Sequence, residues 1–242
     1  MSESAGGGGA EAKWKPLSAH QRRVLGTLME KSKTTPDAYP LTINALTTGC
    51  NQKNNRSPLS NLSADQVERV VDELRQIGAL GVIQGSGRTE KIRHYAYEWL
   101  SLSKLEAAVM TELLLRGEQT LGELRGRAAR MEPIADLAAL QQLTGPLIER
   151  GLMIELSSPG RGQLVSHNLY PEWELRELQQ RIATSVDEVD APAGGRQADS
   201  GSIPRTSQAG ELAALRQECE TLRELVDQLQ TRVATIEQEL HG

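Results

Sequence analysis

The residues best suited to chemistry in this chain are hydrogen-bonding and cationic, and they fall in three short groups. Asn51, Gln52, Lys53, Asn54, Asn55 and Arg56 sit together in a polar loop between Cys50 and Pro58. Arg88, Lys91 and Arg93 flank a Gly-Ser-Gly tip, and Arg125, Arg127 and Arg130 follow one another along a helical stretch. Amides and guanidiniums in such groups suit contacts to phosphates and base edges. The same residues equally suit solvated charge, or a loop that satisfies its own backbone, as Asn-rich turns do. Nothing here suits catalysis. His20, His94, His167 and His241 lie in four different elements, with no carboxylate or thiol motif beside them, and each reads as an ordinary surface or hairpin residue. Gly85-Ser86-Gly87 is a turn and not a phosphate loop, because no Lys-Ser/Thr follows to open a helix. Cys50 and Cys219 lie in different regions and make no disulfide framework, and with scattered His they form no metal-ligand cluster. Neither a metal nor a cofactor is expected, and an enzyme is not expected.

The elements that must position these groups occur twice. Ser18 opens a helical run through Val24, Leu25 and Leu28, and Ser103 opens a matching run through Val109, Met110 and Leu113. A short second helix follows each, opened by Thr42 (with Ile43 and Leu46 inward) and by Thr120 (with Leu121, Leu124 and Ala128 inward). In the first copy the third helix starts at Ser63, carries Val67, Val70, Val71, Leu74 and Ile77, and ends at Gly78. In the second it runs from Ile134 to Arg150 with Leu137, Leu140, Leu143, Leu147 and Ile148 inward, and Gly145-Pro146 is expected to kink or break it. Hairpins complete both copies: Val82–Gln84 with Ile92–Tyr97, and Leu152–Leu156 with Gln163–Leu169. Three helices and a two-stranded wing make the winged-helix order. The expected fold is therefore α+β, mainly α, with two tandem winged-helix domains at 17–100 and 101–182. A disordered tail (1–16), a flexible acidic linker (183–210) and a coiled-coil helix (211–241) complete the chain. Ser18 to Ser103 is an offset of 85 residues and Gly78 to Gly151 one of 73, so the first copy carries 12 extra residues. They fall in the Pro36–Pro40 and Cys50–Ser60 loops, where function tends to sit.

Charge is uneven. Residues 17–100 hold 11 Lys+Arg against 8 Asp+Glu, whereas residues 183–242 hold 5 against 11, so only the first domain is mildly basic. The outward face of the first third helix weighs against DNA, because Asp65, Glu68, Asp72 and Glu73 outnumber Arg69 and Arg75 there. No run reaches the roughly 18 apolar residues of a membrane span. No secretion signal is visible at the N-terminus, and the scattered cysteines suit the cytoplasm.

Leu212, Leu215, Cys219, Leu222, Val226, Leu229, Val233, Ile236 and Leu240 alternate spacings of three and four. Val at a with Leu at d favours two parallel strands, and parallel pairing sets Glu211 against Arg216 and Glu218 against Arg223. The alternative is that this stripe packs back on the chain's own domains.

Glu30-Lys31 with Thr34-Thr35-Pro36, Tyr39-Pro40-Leu41 and Cys50-Asn51-Gln52-Lys53 followed by Asn55-Arg56 and Pro58 resembles one signature of the YceH-like family of uncharacterised bacterial proteins. Leu113–Gly117 and Gly122–Met131 resemble its second signature. The similarity covers about residues 17–170, with Ser57 departing from a position that is usually acidic. The resemblance implies tandem winged helices and leaves the activity open. The function expected first is a dimeric DNA-binding or transcription-regulatory protein using the loop and wings; the alternative is an acidic scaffold that docks a protein partner with no direct DNA binding. A peptide of residues 208–242 is expected to be helical and dimeric, with Cys219 crosslinking to its twin on oxidation. A monomer by sedimentation removes the coiled coil.

Overall fold

The computed structural model describes residues 14–84, 89–160 and 162–189. Arg88, the N-terminal tail up to residue 13 and the heptad residues Leu212 to Leu240 lie outside the described residues. α1 (Ala19–Thr34) starts where Ser18 and Gln21 cap each other reciprocally, so two N–H groups that the helix cannot satisfy find acceptors. A 3-10 turn (Pro36–Ala38) leads to Leu41, which exchanges two backbone hydrogen bonds with Ile92. α2 (Ile43–Cys50) is capped by Thr42 and α3 (Ala64–Gln76) by Ser63. β1 (Leu80–Gln84) and β2 (Glu90–His94) pair antiparallel with Leu80 opposite His94, and a short helix, α4 (Ala96–Trp99), follows.

The second copy repeats this plan. α5 (Lys104–Arg116) carries the same reciprocal cap through Ser103 and Glu106. β3 (Gln119–Thr120) stands where Leu41 stands in the first copy and pairs with β5 (Leu164–His167). α6 (Leu121–Ala128), α7 (Leu137–Glu149) and β4 (Met153–Glu155) complete it, and α8 (Glu172–Val189) follows. The fold is α+β, mainly helical, with small antiparallel sheets ordered β1-β2 and β3-β5-β4. Both third helices end alike. Gly78 and Gly151 adopt φ of 76° and 68°, a region open to glycine, and the next N–H reaches back to Leu74 O and Leu147 O. Among the described residues, no helix is long and apolar enough to cross a membrane.

One hydrophobic cluster runs from Leu17 to Leu169 through both copies. Its axis is the contact between the two first helices. Residues Arg22–Glu30 of α1 and Ala107–Leu115 of α5 are buried without interruption, far more than a one-sided stripe requires. α1 also packs on α2 and α3, and α5 on α6 and α7, so each of the two is surrounded. A Cβ at Gly26 would lie 3.0 Å from Leu115 Cδ2 and 3.2 Å from Leu114 Cβ. Glycine lets the two helices approach this closely.

Four expectations are corrected. α7 is continuous through Pro146: the proline lies near the helix end with Gln142 facing solvent, so water can take the carbonyl that loses its donor. Asp136 caps α7 one residue before Leu137, which leaves Leu137 45% exposed instead of inward. β2 stops at His94, because the Tyr95–Trp99 stretch turns into α4. The residues from 183 to 189 are helical, as the end of α8, whose Leu178 and Ile182 bury against Tyr170.

His94 and His167 are buried too, and they are a pair. They stand 73 residues apart, and each accepts through Nδ1 the N–H two residues on, from Ala96 and Leu169 at 3.3 and 3.2 Å. Each ring meets a tyrosine three residues on, Tyr97 and Tyr170. Burial lowers the His94 pKa to about 4 and that of His167 well below its usual value. Above about pH 5 both are neutral when folded and take up protons on unfolding, so stability falls as pH drops below about 6.5. The His94 contribution is expected to reach about 3 kcal/mol near pH 4. Urea midpoints measured between pH 7 and pH 4 check this, and His94→Gln is expected to flatten the slope.

Candidate functional site

Glu30, 1% exposed at the C-terminal end of α1, is the meeting point of three elements. Its Oε2 accepts from Arg56 Nη2 at 2.6 Å, and its Oε1 lies 2.6 Å from Arg130 Nη1 just beyond α6. Arg130 Nη2 donates to Glu112 Oε2 of α5 at 3.1 Å, and Arg116 Nε lies 2.8 Å from Glu112 Oε1 without hydrogen-bond alignment. Arg116 Nη2 returns to the first copy by donating to Asn55 Oδ1 at 2.9 Å. The backbone N–H of Ser57 donates to Leu115 O at 3.0 Å, satisfying one of the last carbonyls of α5. Burial works to raise the Glu30 pKa, but hydrogen bonds and charge from Arg56 and then Arg130 outweigh it and hold the carboxyl below its usual range.

This geometry gives most of the groups read as candidates for nucleic acid a partner within the chain, and it buries one of them, Arg56. Arg56, expected on a surface loop, has a 0% exposed side chain: Nε and Nη2 donate to Gly49 O and Nη1 to Asn55 O. It is drawn inside because Glu30 needs a cation there. Asn51 is a brace, donating to Leu62 O and accepting from Leu62 N–H, both at 2.8 Å. Asn55 takes φ of 58° and faces Arg116, and Gln52 Oε1 accepts from Lys31 and Arg56. Arg127 pairs with Glu123 and donates to Gln119 Oε1, while Arg125 donates to Ala135 O. Lys53 and Arg93 are exposed, Arg93 lying over the Tyr95 ring, and Lys91 is half-buried on β2. The groups that the reading of the sequence missed are Glu30, Glu112, Arg22 and Arg23. A glutamate inside Val109-Met110-Thr111-Glu112-Leu113-Leu114-Leu115 was the available signal, since a charge within so apolar a run must be paired if the helix is enclosed.

Beside this junction lies an open groove of about 890 Å³. Its walls are the start of α1, the Ser57–Leu62 loop, the end of α5 and the first half of α8. Leu59 and Trp173, 64% and 67% exposed, line it, as do Arg22, Arg23 and Arg116. Arg22 donates to Leu17 O at 2.6 Å, pairs with Glu174 of α8, and lies over Tyr170. Arg23 is 5% exposed: Nη2 donates to Pro58 O at 2.5 Å, and among the described residues Nη1 has no acceptor. Burial, then the charge of Arg56, lowers its pKa to about 10.

A duplicated helix–hairpin unit joined by a buried arginine–glutamate junction defines the class of the chain. Its family follows from comparison. Residues 17–161 match the family model described as a protein of unknown function, DUF480, and the chain belongs to that family. A UPF0502 protein of Rhodopirellula baltica is 49% identical over 197 residues, 81% of this chain and 82% of that protein. One from Geobacter sulfurreducens is 46% identical over 177 residues, 72% of this chain and 77% of its own length. One from Citrifermentans bemidjiense is 40% identical over 197 residues, covering 79% and 87%.

Glu30→Gln removes the charge that holds Arg56 and Arg130. Breaking a buried pair in this way costs about 3–5 kcal/mol. Chemical denaturation is expected to show a loss of that order, against a change within about 0.5 kcal/mol for the exposed Glu68→Gln.

Proposed function

We propose that this chain is a tandem winged-helix protein of the cytoplasm that binds a protein partner, performs no catalysis, and does not read duplex DNA with its third helices. The winged-helix reading is supported by the order helix, short strand, helix, helix, strand, strand in both copies, including the two-residue β3 and its counterpart at Leu41. The docking reading rests above all on one observation: Arg56, which is buried, and Arg130, which is exposed, both candidates for phosphate contact, are engaged by the buried Glu30. A guanidinium so engaged adds little to a phosphate-binding surface. The outward face of α3 supports the same conclusion, with Asp65, Glu68, Asp72 and Glu73 exposed beside Arg69 and Arg75. Large apolar side chains exposed along a groove, Leu59 and Trp173, suit a protein surface. Self-pairing through residues 211–241 would set two such grooves in one particle. Lys53, Lys91 and Arg93 remain available to a DNA-binding alternative.

The full chain is expected to leave short duplex DNA unretarded even at low salt. In-cell crosslinking is expected to yield a protein partner that survives nuclease treatment. Tight duplex binding that is lost in Lys53→Ala with Arg93→Ala would reverse the assignment.

A further inference from the structure

We propose that the groove between α1, the Ser57–Leu62 loop and α8 receives a peptide segment of the partner that carries a carboxylate beside a bulky apolar residue. The inference rests on the docking reading above. It begins from charge. At the junction of the two copies Arg23, Arg56, Arg116 and Arg130 gather around two carboxylates, Glu30 and Glu112. Cations therefore outnumber the anions that hold them, in a place where burial strengthens electrostatics and makes an uncompensated charge costly. Three of the four are held by hydrogen bond or ion pair to a glutamate. Arg23 is the exception: it lines the groove, its Nη2 donates to Pro58 O, and among the described residues Nη1 finds no acceptor.

The other charges on the groove sharpen this. Arg22 pairs with Glu174, and Arg181 pairs with Glu118, so these four neutralise one another. Glu177 is exposed on α8, at the solvent edge, while His20 is exposed on the α1 side. A ligand carboxylate placed beside Pro58 is thus drawn to the α1 side, toward Arg23. Because Nη1 is itself closed off, binding includes a small outward turn of the Arg23 side chain to meet the ligand in a charge-assisted hydrogen bond.

Apolar contact comes from Leu59 and Trp173 on the groove. Burying two such side chains gives a peptide the aromatic and aliphatic anchors that dominate small interfaces. A free phosphate or a small carboxylic acid would use Arg23 and leave these side chains in water. A peptide with both features uses the whole groove.

The test uses the full chain as bait for a random-peptide display library. Enriched sequences are expected to carry Asp or Glu next to Leu, Ile, Phe or Trp. A synthetic peptide of the enriched sequence is expected to bind roughly tenfold more weakly when its carboxylate is changed to the amide. Arg23→Gln is expected to abolish that tenfold preference. Leu59→Ser with Trp173→Ser, both at exposed positions and so without cost to the fold, is expected to abolish binding even if Arg23→Gln fails to fold. No enrichment, enrichment without a carboxylate, or binding unaffected by the Leu59/Trp173 pair overturns the proposal. Peptides matching the chain's own sequence would assign the groove to another part of this chain or a second copy, and would overturn it also. A nuclease-resistant partner that stays bound to the Leu59→Ser/Trp173→Ser chain leaves the docking reading intact and removes only the groove.

Discussion

The burial of the Glu30 carboxylate constrains more of this molecule than any other single group does. A carboxylate that is 1% exposed is tolerated only when cations and hydrogen bonds surround it. Here those cations come from two places far from α1 in sequence. Arg56 arrives from the loop before α3, and Arg130 from the end of α6. Fixing them fixes the path of that loop and the seating of the second copy against the first. Glu112 then ties the same arginine to α5, and Asn55 closes the ring through Arg116. Gly26 supplies the steric half of the arrangement by letting the backbones of α1 and α5 come close.

The parts of this fold that were legible in the sequence are those decided within a few residues. Ser18, Thr42, Ser63, Ser103 and Thr120 cap helices because a side-chain oxygen reaches an N–H one turn on, and Gly78 and Gly151 end helices because they tolerate positive φ. Apolar spacing likewise exposed the cores of α1, α3 and α5. What was hidden depends on distant partners. Arg56 in a run of Asn, Gln and Lys looks like every other polar loop residue until Glu30, 26 residues earlier, is seen beneath it. β3 has two residues and no periodicity of its own, and exists because β5 lies alongside. Leu137 fits an inward stripe by spacing, yet Asp136 starts the helix late and leaves it outside. The two histidines looked isolated because their shared turn is a property of the repeat and not of either segment.

Placing basic groups inside changes what the outside can do. The first copy has the more basic sequence, but its loop arginine faces inward and its α3 presents carboxylates, so the surface is less cationic than the composition suggests. Of the two longer loops of the first copy, Cys50–Ser60 thus contributes Asn55, Arg56 and Ser57 to the junction, and through Ser57 to Ser60 it also lines the groove. Buried and groove-lining side chains share one loop there, separated only by which way each one turns.

The close packing of α1 on α5 has a consequence for symmetry. These are equivalent helices, so the chain holds within itself the contact that a homodimer would form between two separate subunits. In a homodimer one patch must serve both sides of the contact, residue i meeting j and j meeting i. Fusion lifts that requirement. Glu30 corresponds by the 85-residue offset to Leu115, and Glu112 to Thr27, so acid on one side meets different chemistry on the other. Four arginines can then converge on a single off-centre point instead of on two points related by symmetry. A built-in asymmetry of this kind gives the molecule a direction: its two halves, alike in plan, differ in the chemistry they carry.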